Sequence, residues 1–151
     1  MDNPPQYSSG VFLLRRLVEI YSGVDTDLSR GDMELKIREF NRVADQADIS
    51  LLFYSGHGIQ VTGQNYLIPV DAKLNEASAV DFELINVASI SNYMDGLNKV
   101  GIILLDACRG NPFTRSFANT LGTRSTQVVR GLAPINSRGS GLLVGFCYSP
   151  R

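Results

Sequence analysis

His57 is the only histidine in this chain of 151 residues, and it sits between two glycines at the end of an apolar run, LLFYSGHGIQ at 51–60. Cys108 stands 51 residues further on, also just past an apolar run, in KVGIILLDACRG at 99–110. An imidazole beside a thiol does nucleophilic chemistry. The thiolate attacks a carbonyl carbon, while the imidazole lowers the thiol pKa and delivers a proton to the leaving amine. The oxyanion so formed needs backbone N–H donors. The amides of Gly58 and Cys108 are the natural candidates, and one such donor is worth about 3 to 4 kcal/mol of transition-state stabilisation. Glycines on both sides of His57 leave room for a substrate backbone to come close. Asp106 precedes the cysteine by two residues. Residues i and i+2 of a strand share a face, so its carboxylate could line a pocket for a cationic side chain.

Taken singly, these residues have plainer explanations. A cysteine at a strand end is more often structural, because free cysteine is among the most buried residue types. A histidine in a glycine-rich turn can be a loop or capping residue, an aspartate is commonly a cap, and Cys147 by itself reads as a core thiol. Only the joint pattern favours chemistry, and it requires a fold that brings the two strand ends together.

The segments between them describe such a fold. DLSRGDMELKIREFNRVADQ places Met33, Ile37, Phe40 and Ala44 on one helical face, and Ser29 with Asp32 forms a capping-box-like start. ADISLLFYSG reads as a buried strand. After a glycine-rich turn, QNYLIPVDA is a short strand stopped by Pro69, and ASISNYMDGLN sets Ile90, Met94 and Leu97 on one helical face. KVGIILLDACRG and GLLVGFCYSP supply two further strands. Residues 110–141 are rich in Gly, Ser, Thr, Asn and Arg with little periodicity, and 113–140 read as a flexible linker. VFLLRRLVEI near the start suits a short helix running into an edge strand. Strands alternating with amphipathic helices predict an α/β fold with a mainly parallel sheet, in which reactive groups gather beyond the carboxyl ends of the strands.

Bulk properties narrow the partners. The chain is 44% hydrophobic and 19% charged, enough for one domain with a sizeable core. A net charge of -1 and a pI near 5.8 argue against nucleic acid or an anionic membrane as partner. The longest apolar runs fall well short of the roughly 20 residues that span a bilayer. MDNPPQYSSG lacks the features of a secretory signal, which predicts a cytoplasmic protein with reduced thiols. One histidine and two cysteines make a poor zinc set. No cofactor is predicted; calcium activation stays open, the acids at Asp71, Glu76, Asp81 and Glu83 reading more often as solvated surface than as a calcium site.

YSGHG at 54–58 and DACRGNP at 106–112 together resemble the two catalytic signatures of the caspase-like cysteine peptidases, the group of caspases, paracaspases, metacaspases and bacterial orthocaspases. The resemblance extends from about Asp27 to the end of the chain, through YLIPVDA and GLAPI. It implies a three-layer caspase-like sandwich, with His57 as general base and acid, Cys108 as nucleophile, and the Gly58 and Cys108 amides as oxyanion donors. In metacaspases and paracaspases the acid two residues before the cysteine helps bind a basic residue, which implies cleavage of peptide or protein substrates after Arg, with Lys also accepted. Caspases proper have a glutamine there; a carboxylate would repel the acidic residue they select. GFCYSPR resembles the substrate-pairing strand and its turn, adding Cys147 and Tyr148, with Ser55, to the expected substrate-binding residues.

The pattern departs from the family at both ends. The family's first core strand and its final helix and strand have no counterpart, DNPPQY resembles only the end of the first loop, and Tyr7 stands near an expected acid. The resemblance therefore also admits an inactive caspase-like remnant acting as an interaction module. It likewise admits a partner in the missing part of the domain or another subunit. Arg115, Arg124, Arg130 and Arg138 are candidate self-cleavage sites. A small-molecule hydrolase or redox thiol protein is a weaker reading, because no second cysteine lies nearby and no cofactor fingerprint is present.

Overall fold

The structure, a computed structural model, describes residues 9–15, 20–76, 78–97, 99–107, 117, 128–130, 132–133, 135 and 141–146. In 9–15, 20–22, 24 and 128–130 that description is of the backbone. The chain begins with β1 (Ser9–Arg15), β2 (Ile20–Thr26), α1 (Arg30–Ala44) and β3 (Ile49–Gly56). It continues through β4 (Gly58–Val61), β5 (Gln64–Leu67), α2 (Ala79–Glu83), β6 (Ile85–Asn86) and α3 (Val87–Gly96). β7 (Val100–Ala107), β8 (Val128–Arg130) and β9 (Leu142–Phe146) complete it.

Five strands form the central sheet in the order β2-β1-β3-β7-β9. β3 pairs parallel with β7, and β7 with β9, while β1 is antiparallel to both β2 and β3. Four strands thus run one way and β1 alone runs back, so the sheet is mainly parallel, as predicted. β3 shows why its sequence makes a strand: Ser50, Leu52, Tyr54 and Gly56 are buried in alternation with more exposed neighbours. Leu52 and Tyr54 share one face with Ile103 and Leu105 of β7, and α1 and α3 pack there through Met33, Phe40, Ala44, Val87, Ile90 and Met94. Full burial of each large aliphatic side chain contributes about 1.5 to 3 kcal/mol. The opposite face carries Leu51, Phe53, Ile102 and Leu104, all half-buried.

The helix beginning at Arg30 follows its sequence signals closely. Ser29 is extended at the N-cap, and its Oγ accepts from the Asp32 N–H. Its C-terminal end is tied to the rest of the fold: Lys99 Nζ donates to the Asp45 carbonyl and Tyr93 Oη to that of Asn41. Ile37 and Leu97 pack at the edge of the core.

Three features depart from the sequence reading. VFLLRRLVEI was expected to begin as a helix, yet β1 is a strand paired on both sides; only the expected edge strand, β2, is present. The apolar run at 11–14 is only four residues, too short to show a period of its own, and pairing to both neighbours decides its conformation. Second, the glycine-rich turn after β3 contains a strand. β4 and β5 form a hairpin closed by Thr62 and Gly63, both with positive φ (50° and 80°), the geometry of a two-residue turn that matches strand twist. Third, the described residues within 113–140 are placed in the fold: β8 pairs with β4, Phe117 is fully buried, and Leu132 and Ile135 pack against the main core. Strands β6-β5-β4-β8 make a second, antiparallel sheet, over a smaller cluster of Ile59, Ile68, Leu74, Leu84 and Phe117. Arg115, Arg124 and Arg138 lie outside the described residues, and Arg130 lies within the β4–β8 pairing.

One side chain clasps the segment after β8 to the hairpin. Asn65 is buried, its Nδ2 donates to the Ala133 carbonyl at 2.7 Å, and its Oδ1 accepts from the Ala133 N–H at 2.7 Å. Truncating it leaves one backbone donor and one acceptor without partners, at about 1 to 3 kcal/mol each. Asn65→Ala is expected to lower unfolding stability by at least about 2 kcal/mol, read as a reduced urea midpoint at unchanged slope. A loss under about 0.5 kcal/mol, the size of an ordinary surface substitution, would show that the clasp does not hold this segment.

Candidate active site

The candidate site is built where β3 ends. Its pairing with β7 runs in register from Ile49↔Val100 to Ser55↔Asp106 and Gly56↔Ala107. Ser55 and Asp106 therefore sit side by side on the sheet face away from α1 and α3, and Ser55 Oγ donates to Asp106 Oδ2 at 3.4 Å, a long hydrogen bond. The structure thus brings together two of the predicted substrate-binding residues. Both are half-buried, which leaves the carboxylate within reach of a cation from outside.

His57 occupies the single position between β3 and β4, where the chain leaves one sheet and enters the other. Its backbone is held firmly: its carbonyl accepts from the Ile68 N–H at 2.9 Å and from Tyr54 Oη at 2.8 Å. Its ring is half-buried, and that burial lowers the imidazole pKa below the ordinary 6.5. The neutral ring, which can accept a proton, is thus the favoured form at neutral pH.

Gly58 follows at a place where a side chain would be tight. A Cβ there would lie 3.1 Å from both the Ala107 Cβ and Leu132 Cδ2, and 3.3 Å from the Tyr66 carbonyl oxygen. A side chain here would make its neighbours give by a few tenths of an ångström, because the start of β4 passes close to Ala107 at the end of β7 and to Leu132. Cys108, Cys147, Tyr148 and Tyr7 lie outside the described residues.

Sequence reasoning missed Tyr54. It is 4% exposed, and burial pushes its phenol pKa far up, against the opposing effect of hydrogen bonds to the Ile68 and His57 carbonyls. The available signal was a tyrosine inside an apolar strand, where a hydroxyl must find a partner. A cavity of about 360 Å³ opens elsewhere, beside α1 and β6. It mixes Arg30 and Arg38 with Glu34 and Asp81 and contains none of the predicted site residues.

With this geometry in view, comparison with known proteins fixes the class. The caspase domain model matches residues 13–149, and the chain belongs to that family. Over 84 residues it is 32% identical to the human mucosa-associated lymphoid tissue lymphoma translocation protein 1, a match covering 55% of this chain and 10% of that protein. The match therefore spans only about a tenth of this curated relative's length. No solved structure matches. Among the described residues, no helix is long and apolar enough to cross a membrane.

The lowered histidine pKa has a measurable consequence. Protons bind His57 more weakly in the folded chain than in the unfolded one, so its contribution is neutral well above pH 6.5. Stability is lost as pH falls through 6.5, where the unfolded state takes up the proton first, and the loss levels off below the native pKa. In His57→Gln that component is absent. The melting-temperature difference between the two proteins should be flat above about pH 7 and move against the unsubstituted protein on acidification below the ordinary histidine value. A difference that stays constant to pH 5 would contradict the burial effect.

Proposed function

We propose that the chain is a cysteine endopeptidase cleaving after basic residues, Arg preferred, with His57 and Cys108 as its catalytic pair. The observation that carries this reading is the register Gly56↔Ala107 in parallel strands, because His57 and Cys108 are each the next residue in the chain. In parallel strands the carboxyl ends leave the sheet on the same side, where substrates of α/β proteins bind. A neutral His57 suits the first step, in which it takes the Cys108 proton as the sulfur attacks the scissile carbonyl carbon.

The new carbon–sulfur bond places negative charge on the former carbonyl oxygen, which the Gly58 N–H, with that of Cys108, stabilises. His57 returns the proton to the amine as the carbon–nitrogen bond breaks. Water then attacks the acyl-enzyme with His57 again taking a proton, releasing the new carboxylate and the free thiol. Asp106, beside Ser55, holds the cationic side chain of the residue before the cleaved bond; Cys147 and Tyr148, next in the chain after β9, are assigned to the neighbouring substrate positions. A guanidinium engages a carboxylate with two parallel hydrogen bonds, which favours Arg over Lys.

Turnover of short peptides ending in Arg, Lys or Asp before a chromogenic amine tests this reading. The unsubstituted chain is expected to prefer Arg, and Cys108→Ala or His57→Ala to lower kcat by at least about a thousandfold, as removal of a nucleophile or its base does. No turnover by the unsubstituted chain, with or without calcium, would instead favour a remnant that serves as an interaction module. Asp106→Asn should reduce kcat/KM for Arg peptides by about tenfold or more, the loss of a charge-assisted contact, while iodoacetamide alkylates Cys108 at an unchanged rate. Equal losses in the two measurements would remove Asp106 from the substrate pocket.

A further inference from the structure

Tyr54 lies on the buried face of β3 among Leu52, Ile103, Leu105 and the apolar side chains of α1 and α3. For packing alone a phenylalanine would fill the same space, and a hydroxyl withdrawn from water is costly unless it is bonded. Its bond goes to the His57 carbonyl at 2.8 Å; the Ile68 carbonyl, at 3.4 Å, is the distant alternative. One phenolic proton makes one strong bond, and the shorter distance selects His57. The same carbonyl accepts the Ile68 N–H at 2.9 Å, so both of its lone pairs are engaged, one from a side chain of the central sheet and one from the strand end after β5.

The His57 carbonyl and the Gly58 N–H belong to a single peptide unit, planar and trans. In such a unit the oxygen and the amide hydrogen point in opposite directions. Whatever fixes the carbonyl therefore aims the N–H, and two donors from two different elements fix the rotation of the plane better than one. We propose that Tyr54 is a positioning residue for the oxyanion donor at Gly58, acting through the His57 carbonyl. This inference rests on the peptidase reading above and deepens it, assigning the task to a hydroxyl that would have no contact with substrate.

Tyr54→Phe tests it, since it retains the ring and removes only the donor. Complete removal of an oxyanion donor costs about 100- to 1,000-fold in kcat, so a misaimed one should cost roughly tenfold, with KM changed less than about twofold. Affinity for a peptide aldehyde ending in Arg should fall by the same factor as kcat. Addition of the Cys108 sulfur to the aldehyde carbon puts an oxygen where the oxyanion forms. Alkylation of Cys108 by iodoacetamide develops no such oxygen, and its rate should be unchanged. Unchanged kcat and aldehyde affinity would overturn the proposal, and so would parallel losses in turnover and alkylation, which mark general damage to the fold.

If Tyr54→Phe fails to fold, replacement of Tyr54 by p-aminophenylalanine retains both the ring and a weaker donor. It should lower kcat by a smaller factor with alkylation intact; equal turnover or a parallel loss would count against Tyr54. The two readings fail distinguishably. An unsubstituted chain that cleaves no Arg peptide sinks the peptidase reading and this inference with it, whereas equal cleavage by the unsubstituted chain and Tyr54→Phe sinks only the role of Tyr54.

Discussion

The register of β3 against β7 is the constraint on which the site depends. With side chains alternating every residue along a strand, a slip of one position would move Ser55 and Asp106 to opposite faces and turn the core side chains of whichever strand slipped, Leu52 or Ile103, out of the core. The buried faces of the two strands exclude that slip energetically, since either Leu52 and Tyr54 or Ile103 and Leu105 would lose their places together. Register is therefore specified in the hydrophobic core, at some distance from the polar strand ends that benefit from it. Core packing and site geometry are here one property of the chain.

The second constraint is the close approach of β4 to the end of β7. His57 is the joint between the two sheets, and the joint is sewn on both sides: by the Tyr54 hydroxyl from the central sheet and by the Ile68 N–H from the hairpin side. Gly58 admits the close approach of Ala107 and Leu132, and Asn65 clasps Ala133, next to Leu132 in the chain. Residues far apart in sequence thus converge on one peptide unit. The small second cluster around Ile59 and Phe117 gives the hairpin its own apolar support, so that the histidine is held between two packed bodies.

Much of this was legible in the sequence where local chemistry and periodicity agree. α1 announces itself by Ser29 at the N-cap and by Met33, Phe40 and Ala44 at helical spacing, all of which are buried. β3, β7 and β9 read as apolar runs of strand length, and α3 showed its inward face at Ile90 and Met94. The signals failed where an element is short or its conformation is decided by neighbours. β4 is four residues, and its turn uses Thr62-Gly63 instead of the Asn-Gly or Asp-Gly pair that marks most such hairpins. β8 has three residues, too few for any period. β1 is apolar without alternation, and only its two partners distinguish strand from helix.

At the site the same division appears between chemistry and placement. His57, Gly58 and Asp106 stood out by residue type, but the Ser55–Asp106 contact follows from register, and the support of His57 by Tyr54 follows from a hydrogen bond that forms only because the chain turns out of β3 right after Tyr54's strand. Neither is encoded as spacing alone. The physical cue was nonetheless present: a polar atom on the core face of an apolar strand must be bonded or it destabilises the fold by about 1 to 3 kcal/mol. Tyr54 satisfies that demand chiefly through the backbone of the histidine, at 2.8 Å, with the Ile68 carbonyl farther off at 3.4 Å. The burial requirement of one side chain thereby becomes the orientation of another residue's peptide plane, which is how a core residue comes to bear on the site without reaching it.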